Sequence, residues 1–220
     1  MRAVIFDFDG VLADTEGLHL AAFQQVFAAR GWSLDEHEYF QHYMGFDDEG
    51  VFVEYARNRA LSLDRRALDE AKQQKADAFA VLVASGRLLY PGAAECVTAL
   101  AGEYPLAIAS GALHHEIESI LSESGLLSHF ALIVGADDVG ARKPAPDPYL
   151  AAAAGLGVDP RECVAIEDST WGLRSAQDAG MRTIAVTTTS APHILRGADR
   201  VIAGVHELTS ELIRGLAGRS

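Results

Sequence analysis

Ala3-Val4-Ile5-Phe6-Asp7-Phe8-Asp9-Gly10 is an apolar run that ends abruptly in two carboxylates and a glycine. The run is short, has no helical spacing and is apolar at consecutive positions, which predicts a strand over 3–8 buried on both faces. Comparable runs recur at 106–109, 131–134, 164–166 and 183–186, with a weaker sixth at 200–202. Helix-period segments at 93–101, 115–124, 147–154 and 171–179 separate them, and Gly155 and Gly180 stand where two of these helices are expected to end. Short buried strands alternating with helices predict an α/β fold: a Rossmann-like, doubly wound parallel sheet covered on both faces.

The segment 16–87 breaks this alternation. It carries no strand pattern, only helical periodicity: Leu18, Ala21, Ala22, Val26 and Phe27 on one face, Val51, Phe52, Tyr55 and Ala56 on another, and Leu68, Ala71, Lys72, Lys75 and Phe79 on a third. The sheet pattern resumes after Pro91-Gly92. The expected organisation is a catalytic core of 1–15 and 88–220 with a helical cap, 16–87, inserted after the first strand.

Ligands of doubly wound sheets bind beyond the carboxyl ends of the strands. Here those ends carry Asp7 and Asp9, Ser110-Gly111, Lys143 downstream of Asp137-Asp138, and Glu167-Asp168. Four successive strand ends therefore present groups suited to a phosphate or a divalent cation. With Gly10 turning the chain, Asp9 is expected beside Asp7, and such a pair divides labour: one carboxylate attacks phosphorus, and the other protonates the leaving oxygen and then activates water. Taken alone, Asp-x-Asp-Gly is also ordinary turn chemistry. Asp168 offers a hard oxygen ligand for magnesium together with Asp7 and the Asp9 carbonyl, while Ser169 can cap the following helix. Lys143 lies among Pro144, Pro146 and Pro148, a stiff setting for a charge that neutralises phosphoryl oxygens. The Ser110 hydroxyl with the amide of Gly111 or Ala112 suits another phosphate oxygen.

Composition narrows the classes. The chain has 18 basic and 31 acidic residues, a net charge of −13, and no basic run, which argues against a nucleic-acid partner. It lacks the roughly 18 to 20 consecutive apolar residues of a membrane span. Cys96 and Cys163 fall in apolar segments as expected free thiols, consistent with a reducing, cytoplasmic setting. There is no Gly-x-Ser-x-Gly, Walker loop or Gly-x-Gly-x-x-Gly after a strand.

Four segments in this order, Asp7-Phe8-Asp9-Gly10-Val11-Leu12-Ala13-Asp14-Thr15-Glu16, Ser110-Gly111, Lys143-Pro144-Ala145-Pro146-Asp147 and Ile166-Glu167-Asp168-Ser169, resemble the motifs of the haloacid dehalogenase-like hydrolase superfamily, in its helical-cap branch of phosphoglycolate phosphatases, sugar-phosphate phosphatases and beta-phosphoglucomutases. The resemblance implies Asp7 as nucleophile, Asp9 as acid and base, Ser110 and Lys143 as phosphate binders, and Mg2+ on Asp7, Asp9 through its carbonyl, Asp168 and Glu167. It implies cap contacts to substrate from Thr15, His19 and Lys75; His114, by its position after the Ser110 loop, is a further candidate to line the pocket. An aspartate at position 9 argues against dehalogenation.

The expected activity is magnesium-dependent hydrolysis of a small phosphomonoester, a sugar phosphate or phosphoglycolate, through a phosphoaspartate. The segment Met44-Gly45-Phe46-Asp47-Asp48-Glu49 is acidic where the mutase carries a basic residue for a second phosphate, so repulsion there is expected to favour hydrolysis over mutase chemistry. The remaining reading, an inactive phosphometabolite-binding module, sits poorly with the presence of Asp7, Asp9, Lys143 and Asp168 together. No protein partner is legible.

Overall fold

A computed structural model of the chain describes residues 1–43, 46–84 and 88–216. Its strands are β1 (Ala3–Phe6), β2 (Leu106–Ala109), β3 (Phe130–Val134), β4 (Cys163–Glu167), β5 (Arg182–Val186) and β6 (Arg200–Ile202). They form one sheet in the order β3-β2-β1-β4-β5-β6, every pair parallel. β1 is central because it is apolar at every position and can be buried on both faces. Phe6 pairs with Ile108 on one side and Ile166 on the other, so Asp7 emerges level with the ends of β2 and β4.

The helices of this unit are α5 (Ala93–Ala101), α6 (His114–Glu123), α7 (Asp147–Leu156), α8 (Thr170–Asp178) and α9 (Ser210–Arg214). Ala3, Ile5, Ala107, Ala109 and Ala165 pack with Tyr149, Ala152 and Ala153 of α7 and Ala176 of α8. Small residues dominate this layer, which lets the helices lie close to the sheet. Gly155 takes part in the same packing. It does not end α7, as expected from its sequence position; the helix runs on to Leu156 and Gly157 ends it at φ +67°. A β-carbon on Gly155 would collide with Leu132 of β3, so that glycine serves helix-on-sheet approach. Gly180, at φ +86°, does follow α8 as expected.

Residues Met1–Asp14 and Leu88–Ser220 make up one compact unit, and Thr15–Arg87 a second. The second unit is helical: α1 (Glu16–Ala28), α2 (Glu36–His42), α3 (Asp48–Asn58) and α4 (Arg65–Val83). The sequence pattern misses α2, whose single buried residue, Tyr39, gives no periodicity to detect. The buried side of α1 is Leu20, Ala22, Phe23, Val26 and Phe27; it includes the expected Ala22, Val26 and Phe27, while the expected Leu18 and Ala21 are half-buried. An aromatic cluster of Phe23, Phe27, Tyr39, Tyr43, Phe52 and Tyr55 fills the unit. Asp35, Asp47 and Asp64 cap α2, α3 and α4 through their carboxylates, so part of the acidic excess is capping chemistry.

Both cysteines are free and buried. Among the described residues, no helix is long and apolar enough to cross a membrane.

Candidate active site

β1 ends at Phe6, earlier than the expected 3–8, and the chain then turns tightly. The Phe8 carbonyl accepts hydrogen bonds from the amides of Val11, Leu12 and Ala13, and Gly10 sits at φ +76°. Glycine is required here twice over, since a β-carbon at position 10 would also collide with the Asp168 carboxylate. The turn brings Asp9 alongside Ala13 in an isolated bridge, leaving Asp7 at the mouth of the sheet.

Asp7 is buried, and its Oδ1 accepts a hydrogen bond from Lys143 Nζ at 2.9 Å. Lys143 also donates to Glu167 Oε1 at 2.6 Å. Asp7, Glu167 and Asp168 each present a carboxylate oxygen within 4.8 Å of the others, all buried. The loop after β3 and the ends of β1 and β4, remote in sequence, thus converge on one point. Burial, with the Glu167 and Asp168 carboxylates, pushes the Asp7 carboxyl well above its usual range although Lys143 opposes the shift. Burial, and then the Glu167 charge, raises Asp168 to about 6. Burial works against the charge on Lys143, but Asp7 and Glu167 outweigh it and keep the ammonium protonated. Three carboxylates around one ammonium leave excess negative charge, which a divalent cation with hard oxygen ligands would offset.

The two adjacent acids behave differently. Glu167 is fully enclosed and saturated: Oε1 accepts from Lys143 and from Tyr149 Oη at 2.8 Å, and Oε2 accepts from Asp168 N at 3.2 Å, Ser169 N at 3.3 Å and Ser169 Oγ at 3.0 Å. Asp168 accepts from Thr189 Oγ1, and Thr188 Oγ1 donates to the Gly10 carbonyl. Ser169 caps α8 as expected, accepting from Gly172 N at 3.0 Å. The sequence reading misses Tyr149, Gly172, Thr188 and Thr189. Only the position of Tyr149, six residues past Lys143, offered a signal. Burial and the neighbouring Glu167 and Asp7 charges raise the Tyr149 phenol, so it remains a donor.

Ser110 is buried at the end of β2, next to β1. Its Oγ accepts from Ala112 N at 3.1 Å, which commits the Ala112 amide; the Gly111 amide makes no hydrogen bond to a described residue. His114 ties two strand-end loops together: its Nδ1 lies 2.7 Å from Asp138 Oδ2, and its backbone amide donates to Asp137 Oδ1 at 2.9 Å.

In the helical unit, Thr15 is buried at the start of α1. Lys75 is not on a solvated helix face: its side chain is 0% exposed, with Nζ 2.9 Å from Asp48 Oδ1 and 2.8 Å from His19 Nδ1. His19 stacks on Phe79. Burial, and then the Lys75 charge, lowers the His19 pKa to about 3. The imidazole is therefore neutral, with Nδ1 as acceptor and its proton on Nε2. The acidic residues at the start of α3 do not present the repulsive surface expected from the sequence. Asp47 caps α3, Asp48 pairs with Lys75, and Glu49 pairs with Lys72 at 2.7 Å and with Arg65. Met44 and Gly45 lie outside the described residues.

Comparison with known proteins identifies the family. The family model for haloacid dehalogenase-like hydrolases matches residues 4–186. Protein CbbY of Rhodobacter capsulatus is 33% identical over 193 residues, 84% of each chain. Hexitol phosphatase B of Escherichia coli K12 is 34% identical, covering 97% of this chain and 96% of its own. The crystal structure of CbbY from Rhodobacter sphaeroides in complex with phosphate superimposes with a TM-score of 0.85 at 32% identity, covering 94% and 96%. The chain belongs to the haloacid dehalogenase-like hydrolase family.

Proposed function

We propose that this enzyme is a phosphoric monoester hydrolase that cleaves a small sugar phosphate or related phosphorylated metabolite through a phosphoaspartate on Asp7. The observation that carries the reading is the convergence of Lys143, Asp7 and Asp168 at the mouth of a parallel sheet. In the proposed cycle an Asp7 carboxylate oxygen attacks phosphorus, the bond from phosphorus to the substrate oxygen breaks, and Asp9 gives that oxygen its proton. Asp9, now a carboxylate, takes a proton from water as the water attacks phosphorus, and phosphate leaves Asp7. Lys143, Ser110 and the Gly111 amide bind the phosphoryl oxygens.

The donor set fits Mg2+. Asp7, Asp168 and the Asp9 carbonyl would hold it, while the five donors already on Glu167 leave that carboxylate to orient Lys143. When bound, the ion supplies positive charge that offsets repulsion between the phosphoryl group and Asp7. The unit Thr15–Arg87 is proposed as the cap, with Thr15, His19 and Lys75 as its substrate-selecting residues.

The substrate class is supported by relatives. Hexitol phosphatase B and fructose-1-phosphate phosphatase YqaB of Escherichia coli bear such activities in their names, and a CbbY structure holds xylulose-(1,5)bisphosphate. Hydrolysis is preferred to mutase chemistry on these relatives, since Asp48 and Glu49 are paired with basic residues of α4. The test is phosphate release from a panel of sugar phosphates and from an aryl phosphate, with magnesium and with chelator. Asp7→Asn should abolish release, by roughly 10³-fold or more. Continued turnover in that variant, or full activity in chelator, excludes the mechanism. Isomer formation without phosphate release would mark a mutase.

A further inference from the structure

Tyr149 has no part in the chemistry above, yet it is buried against the two groups that matter most to Lys143. An ammonium carries three protons. Here they meet three acceptors: Asp7 Oδ1 at 2.9 Å, Glu167 Oε1 at 2.6 Å and Tyr149 Oη at 3.4 Å. Tyr149 donates its own proton to the same Glu167 oxygen at 2.8 Å, and its ring centroid lies 4.9 Å from Nζ. Lys143, Glu167 and Tyr149 therefore close a triangle.

That triangle solves a problem particular to lysine. The side chain is a flexible four-carbon stem ending in a rotatable point charge, so burial alone does not set the direction of its protons. Glu167, for its part, competes with Asp7 for the ammonium. A second donor on Glu167 Oε1 shares that oxygen between Tyr149 and Lys143. A buried phenol needs one hydrogen-bond partner, and a backbone carbonyl would have sufficed for packing. Its placement on the catalytic ion pair, with its ring beside the same charge, is more than packing requires.

We propose that Tyr149 is a positioning residue for Lys143: together with Glu167 it engages two of the three ammonium protons from within the core and directs the third toward Asp7 and the oxygens of the phosphoryl group whose phosphorus Asp7 attacks. The inference rests on the phosphatase reading.

Tyr149→Phe removes one oxygen and keeps the ring, so the fold should survive. With an aryl phosphate at saturating magnesium, kcat should fall about tenfold, the loss of one charge-assisted hydrogen bond. KM should move less than about threefold, because the displaced proton matters most as charge develops in the transition state. The calorimetric Kd for magnesium alone should stay unchanged, since the Tyr149 hydroxyl bonds to Glu167 and Lys143 and not to the proposed metal-binding carboxylates of Asp7 and Asp168. In a Glu167→Gln background the same substitution should cost less than about twofold, as expected for groups acting through one contact. A wild-type kcat overturns the proposal, as does a weakened magnesium Kd with kcat restored by excess metal, or an undiminished loss in the Glu167→Gln background. If Asp7→Asn is dead and Tyr149→Phe is fully active, only the role of Tyr149 fails. If Asp7→Asn still turns over, the phosphatase mechanism fails first.

Discussion

Gly172 and Glu167 are fitted to each other: a β-carbon on Gly172 would occupy the space of the Glu167 carboxylate. The glycine lies in the first turn of α8, where its amide also reaches the capping hydroxyl of Ser169. Its lack of a side chain is what lets a buried glutamate lie against a helix start and turn back to Lys143.

Gly172→Ala should therefore act on catalysis through a residue that touches no substrate. Displacing Glu167 by about an ångström moves Lys143, and misplacement on that scale costs roughly 10²-fold in kcat. Overpacking should also lower stability by about 1–3 kcal/mol. Steady-state kinetics and thermal melting check both, and a near-wild-type kcat would show that Glu167 can shift without consequence.

Gly10→Ala should weaken the metal site. The left-handed backbone and the contact with Asp168 both oppose a side chain there. The expected result is a magnesium Kd raised by about tenfold or more, the scale seen when groups that orient ligands are disturbed, with activity partly recovered at high magnesium. Titration calorimetry reads the Kd directly.

His19 makes the helical unit acid-sensitive. Its folded pKa, about 3, lies below the ordinary 6.5, so the folded state resists its protonation. The stability tied to neutral His19 is complete above pH 6.5 and is lost as pH falls toward 3. Denaturant unfolding between pH 7 and pH 4 should show the wild type losing stability faster than His19→Gln. Parallel curves would mean that the imidazole takes up its proton without cost.

Lys75→Ala should destabilise by about 3 kcal/mol, because it strands Asp48 and removes the donor to His19. The double variant with Asp48→Ala should lose less than the sum of the two single losses. Additive losses would show that the pair is not coupled. A raised KM in Lys75→Ala, measured with a sugar phosphate, separately tests the proposed substrate contact.

Three of the four motifs, at Asp7, Ser110 and Glu167-Asp168, were legible because each closes a run of consecutive apolar residues, and a polar group ending such a run has few reasons to be there; Lys143, nine residues past the end of β3, was legible from the prolines around it. β2 and β6 lie where the pattern put them. Gly155 was misread because a glycine near a helix end and a glycine under a helix look identical in one dimension. Asp48 and Glu49 were misread as free charge because their basic partners, Arg65, Lys72 and Lys75, lie sixteen or more residues away.

Local pattern determined the alternation of strands and helices, the helical insertion and the carboxylates that end β1 and β4, since each is written in neighbouring residues and their periodicity. Tertiary structure alone decided that Glu167 serves Lys143, that Tyr149 completes that contact, and that Gly10 and Gly172 leave room for the carboxylates of Asp168 and Glu167. Those relations depend on which oxygen meets which proton across separate strands and helices, and spacing along a chain does not encode direction in space.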